Sequence, residues 1–133
     1  MKNNMSDINP SVLSPLVLAY IGDGVYELFV RNKLITDFPS TPPSKLHKLS
    51  SAHVKAHAQS NSMKVIEPIL TDKELGVYKR GRNAKSPTVP KNADVTDYRR
   101  ATGFEALVGY LYLNKENDRL SQIMELAYSN YSD

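Results

Sequence analysis

Apolar residues recur along this chain at helical rather than strand spacing. Residues 14–36, "SPLVLAYIGDGVYELFVRNKLIT", are apolar on most faces, and the pattern predicts a long, largely buried helix. "TDFPSTPPSK" breaks it. Pro42 and Pro43 suit the first turn of a second helix, with Thr41 as its N-cap. That helix runs to about Asn61 and is more polar, carrying His47, Lys48, His53, Lys55 and His57, and a short helical piece covers 63–69. Thr71 and Glu74 have capping-box spacing, which predicts a helix from about Asp72 that fades at Gly81. "GRNAKSPTVPKNA" reads as a loop, because prolines, a glycine and asparagines crowd it. A strongly apolar helix over 94–114 follows, with Asp94 as its cap. A last helix over about 117–130 spaces Leu120, Ile123, Met124 and Ala127 for packing. Sustained alternation and Asn-Gly or Asp-Gly hairpin turns are missing, so the expected fold class is all-α, in a single domain over 1–133.

Two carboxylates interrupt the apolar pattern. Asp23 shares its stripe with Leu16, Ala19, Tyr20, Tyr26, Glu27 and Val30. Glu105, in "ATGFEALVGYLYL", shares its own with Tyr98, Ala101, Thr102, Val108, Gly109 and Tyr112. An unpaired buried carboxylate costs several kcal/mol or is driven neutral, so each acid needs a partner. If the two helices pack together, the acids meet and repel, and a divalent cation such as Mg²⁺ is the natural compensator. Gly22, Gly24, Gly103 and Gly109 would let the backbones approach and leave space for the ion. The competing reading pairs each acid with a backbone amide or with Arg31, Arg99 or Arg100.

Charge adds a second feature. The 133 residues carry a net charge of +3, yet residues 79–100 alone hold seven basic side chains against two acidic ones. The positive field is therefore local, and suits either a polyanionic partner or a solvated loop. With no cysteine there is neither disulfide nor thiolate chemistry, which fits the cytoplasm. The start, "MKNNMSDINPSV", lacks the apolar core of a secretory signal, and Asp23 and Glu27 interrupt the longest apolar run, so no membrane span is expected. "GRNAKS" lacks the second glycine of a P-loop. His53 and His57 have the spacing of a metal pair without a third ligand, so histidines facing solvent or the polyanionic partner are expected.

Taken together, "YIGD" leading an apolar helix, "FEALVGYLYL" near the C-terminus, and "KRGRNAKS" and "PKNADV" between them resemble the ribonuclease III catalytic domain, and more closely the short Mini-ribonuclease III family. The resemblance covers nearly the whole chain. It implies the ribonuclease III endonuclease-domain helical fold, a homodimer, and Mg²⁺-dependent hydrolysis of double-stranded RNA. The substrate it implies is precursor 23S ribosomal RNA of the large subunit, and it leaves room for a ribosomal protein that presents it. Mini-ribonuclease III proteins lack an appended double-stranded-RNA-binding domain, and no room for one is expected here.

Carried over by position, the family's aspartate is Asp23 and its glutamate Glu105, which makes these the expected catalytic and metal-holding residues. Two signature glutamates fall at Leu16 and Ala19, and an aspartate is replaced by Thr102, so the ion would keep more waters or borrow phosphate oxygens. Glu27, one turn on from Asp23, is not a family residue, and an ion-pairing surface role is expected for it. Lys79, Arg80, Arg82, Lys85 and Lys91 are expected to meet RNA phosphates, and Asn83 and Asn92 to bond sugars. Two other functions compete: a non-catalytic double-stranded-RNA-binding protein of this fold, and a helical interaction protein whose basic segment meets an acidic partner.

Overall fold

The computed structural model describes residues 7–86, 89–91 and 94–131. They form helices α1 (Pro15–Asp37), α2 (Pro43–Val54), α3 (Ala56–Ile66), α4 (Asp72–Asn83), α5 (Val95–Leu113) and α6 (Asn117–Asn130), with 3-10 turns at Pro10–Val12 and Glu67–Ile69. No strand occurs among the described residues, so the all-α expectation holds. None of their helices is long and apolar enough to cross a membrane.

Helix α5 is the axis of the core. It buries residues on nearly every face, and α1, α3, α4 and α6 all pack against it. Phe104 and Leu107 from α5 are fully buried among Tyr26, Met63, Tyr78 and Ile123. The Tyr26 and Phe104 rings meet edge to face with centroids 4.9 Å apart.

The helix starts follow local chemistry. Ser14 Oγ accepts from the Val17 N–H, and Asp94 Oδ1 from the Asp97 N–H at 3.0 Å. The Thr71–Glu74 capping box is complete, with its two bonds at 3.2 and 2.9 Å.

Four expectations are corrected. Pro42, not Thr41, occupies the N-cap position of α2, and no side chain caps it. The single helix expected to Asn61 is broken at Lys55, whose ψ of 155° is extended. The break lets α3 turn its Ala58, Gln59, Ser62 and Met63 onto the core. Gly81 does not end α4, which runs on to Asn83. It is a contact glycine, since a methyl there would lie 2.7 Å from Ala106 Cβ and 3.0 Å from Gly103 Cα. Last, α1 is not largely buried. One face buries Leu18, Ala19, Gly22, Tyr26, Val30 and Leu34, while the other leaves Val17, Tyr20, Leu28 and Ile35 in solvent, Tyr20 at 83% exposure.

Candidate active site

Helices α1 and α5 touch backbone to backbone. A methyl at Gly22 would stand 1.8 Å from the Glu105 carbonyl oxygen, and one at Gly109 would stand 2.0 Å from the Leu18 carbonyl oxygen. Any larger residue would force the helices apart. Leu18 opposite Gly109 and Gly22 opposite Glu105 make the pair antiparallel, and this close register sets Asp23, the next residue along, beside Glu105. Two of the expected contact glycines act elsewhere. Gly103 packs on Tyr78 of α4, and a methyl at Gly24 would meet nothing within 4 Å.

The carboxyls of Asp23 and Glu105 lie within hydrogen-bonding reach of each other. Glu105 is partly exposed and Asp23 exposed, which corrects the expectation that Asp23 is submerged in an apolar stripe: it sits at the rim of α1, where the buried face gives way to solvent. Burial first, then the Asp23 charge and its hydrogen bond, push the Glu105 pKa up to about 8, against a smaller opposing effect of Gln59. None of the ion pairs among the described residues involves either acid, so the competing arginine reading fails. Arg31 instead pairs with Glu27, which takes the ion-pairing role expected of that glutamate. No group of three or more His, Cys, Asp or Glu side chains among the described residues could hold a metal ion. Two hard oxygen donors at an open rim do fit a strongly hydrated divalent ion, which keeps most of its waters.

Thr102, at the position of the replaced aspartate, is buried, and its hydroxyl donates to the Tyr98 carbonyl. Ala19 is buried as well. Gln59 was missed by sequence reasoning. It lies on α3 at 2% exposure with Nε2 3.5 Å from Glu105 Oε2. A neutral amide in a polar-looking helix gives no periodic or charge signal.

The basic residues lie partly on a helix, not all on a loop. Lys79, Arg80, Arg82 and Asn83 belong to the last turns of α4, and Lys85 and Lys91 follow. Lys79, Arg80, Lys85 and Lys91 are exposed. Arg82 is half-buried, its guanidinium 5.6 Å from the centre of the Tyr78 ring and its Nε donating to Asn83 Oδ1 at 3.2 Å. None of these cations enters an ion pair found among the described residues. Asn92 lies outside them. His53 is not solvated as expected: it is 9% exposed and stacks on Tyr128 with centroids 4.5 Å apart. His57 is exposed and pairs with Asp97 at 2.9 Å.

Comparison with known proteins settles the family. The ribonuclease III domain family matches residues 16–116. A Mini-ribonuclease 3 of Clostridium tetani (strain Massachusetts / E88) is 50% identical over 121 residues, 91% of this chain and 80% of its own length. The chain belongs to the Mini-ribonuclease III family. A Mini-ribonuclease 3 of Thermoanaerobacter sp. (strain X514) is 51% identical over 86% of this chain and 80% of its own. Another, of Brevibacillus brevis, is 46% identical over 91% and 90%. The crystal structure of protein FN1578 from Fusobacterium nucleatum superposes with a TM-score of 0.79 at 32% identity, covering 89% of this chain and 93% of that one. As a Mini-ribonuclease III member the chain is an endoribonuclease, with the ribonuclease III fold.

Proposed function

We propose that this chain is a Mg²⁺-dependent endonuclease that cleaves double-stranded RNA as a homodimer in the cytoplasm. In this reading residues 1–133 form one catalytic domain, and Asp23 and Glu105 hold the ion. The observation that carries it is a carboxylate pair brought together by a glycine seam, with no cation paired to it among the described residues. A partly buried acid raised to about 8 beside a second acid is an arrangement that costs stability. A divalent cation would relieve that repulsion. When bound, it supplies charge neutralisation at the phosphodiester and a lowered pKa for the attacking water.

The chain's own residues do the rest. Asp23, at the exposed rim, is open to an incoming phosphate, while Glu105 anchors the site from the protein side. Lys79, Arg80, Arg82, Lys85 and Lys91 grip phosphates along the duplex, and Asn83 and Asn92 bond sugars, a mode that reads A-form shape rather than sequence. Hydrolysis of the P–O3′ bond leaves a 5′-phosphate and a 3′-hydroxyl. The exposed stripe of Val17, Tyr20 and Leu28 on α1, continuous with a groove lined by Ile21, Phe29 and Met124, supports dimerisation, because so much apolar surface is costly to leave wet. Two protomers would supply one site for each strand. The substrate we infer is the paired ends of precursor 23S ribosomal RNA.

The test is incubation of the protein with duplex RNA in Mg²⁺ and in chelator. Cleavage in Mg²⁺ alone is expected. Binding without cleavage would instead select the non-catalytic RNA-binding reading.

A further inference from the structure

We infer that Gln59 is a positioning residue for the Glu105 carboxylate, a role that rests on the metal-holding reading above. Its Nε2 donates to the Val54 carbonyl at 2.8 Å and approaches Glu105 Oε2 at 3.5 Å. The Val54 carbonyl can only accept, so the amide nitrogen must be the atom that faces it. The Val54 carbonyl is one that the Lys55 break leaves at the end of α2, so the anchor on that side is fixed backbone. The amide thus ties the end of α2, through α3, to a carboxylate on α5. The 3.5 Å contact is long, as catalytic contacts commonly are before the substrate complex forms.

The choice of glutamine has a physical reason. An arginine or lysine here would neutralise Glu105 and compete with a bound cation. A neutral donor orients the carboxylate and leaves its charge available. Gln59 Oε1 is buried and receives no donor among the described residues, which leaves one acceptor for a water.

The test uses Mn²⁺ as probe, with uptake by the full chain followed through loss of the free-ion electron paramagnetic resonance signal. Gln59→Met keeps length and volume and removes the donor. It is expected to bind Mn²⁺ roughly ten-fold more weakly, with a matching rise in the Mg²⁺ needed for half-maximal cleavage. Ser62→Ala is the control, since Ser62 is buried on the same helix and donates to the Ala58 and Ala127 carbonyls away from the acids. It is expected to lower thermal stability without moving metal affinity. Mn²⁺ affinity of Gln59→Met within about two-fold of the parent, or an equal loss in Ser62→Ala, overturns the role. Should Gln59→Met not fold, the side-chain amide signals of Gln59 in the parent protein decide: they shift on addition of Mg²⁺ if the role holds, and stay still if it does not. A parent protein that takes up no Mn²⁺ overturns the metal reading and this role with it. Uptake by the parent with an unimpaired Gln59→Met overturns this role alone.

Discussion

Glu74 and Glu105 are the same side chain in two settings. Glu74 is 5% exposed. The Arg119 guanidinium forks onto it, with Nε and Nη2 donating to Oε2 and Oε1 at 2.8 Å each, while Nη2 also reaches the Ile69 carbonyl. The Thr71 N–H adds a further donor. The hydrogen bond from Arg119 is the main reason its pKa is held below the usual carboxylate range. Glu105 is partly exposed and has one amide, Gln59, against the burial and the Asp23 charge that push it up to about 8. Burial raises both acids, and the Arg119 partner reverses the direction at Glu74. Glu74 is a structural clamp joining α4 to α6, whereas Glu105 faces a second acid, Asp23, in place of a cation.

The contrast can be broken in several ways. The largest effect belongs to Arg119→Met, which leaves Glu74 covered and unpaired. It is expected to cost about 3 kcal/mol in denaturant melts while cleavage per folded molecule persists. A cost near zero would mean that the fork is ornamental. Next is pH. Glu74 has a lowered pKa, so its contribution is present above the unfolded value and lost as pH falls through the folded one. Glu105 has a raised pKa, so the metal-free protein should lose stability as pH rises from about 4.5 to about 8. Melting curves of metal-free Glu105→Gln should lose that upper slope and keep the acid one. A smaller effect follows at pH 8, where metal-free Glu105→Gln should melt a few degrees above the parent, since a site acid under repulsion is a stability cost. An unchanged or lower Tm would contradict the repulsion. The smallest effects lie away from both glutamates. Arg82→Ala and Lys85→Ala should each weaken duplex-RNA binding several-fold and reduce the salt slope by about one, with both titrations unmoved.

The elements were legible where side chains act locally. Ser, Thr and Asp caps and the Thr71–Glu74 box mark helix starts through bonds within one turn. The break at Lys55 was not legible, because it is driven by the packing of α3 on α5 and has no proline or glycine to announce it. The two acids were legible as exceptions to an apolar pattern, yet the exposure of Asp23 was not, since periodicity cannot tell an apolar face that meets the core from one that meets solvent. Tyr20 and Leu28 are apolar and wet for that reason. Gly81 read as a helix end because a contact glycine and a terminating glycine look alike in a string. Gln59 left no trace, as its importance comes only from a neighbour 46 positions away.

The proposed function requires Asp23 and Glu105 to act together on one divalent ion. The most direct measurement is the single-turnover cleavage rate of duplex RNA in saturating Mg²⁺ for Asp23→Asn, Glu105→Gln and the double variant. Each single change is expected to lower the rate by about a thousand-fold or more, and the double variant to be little worse than either, because residues serving one ion fail as a unit. Near-parental rates in either single variant, or losses that multiply in the double, would contradict it.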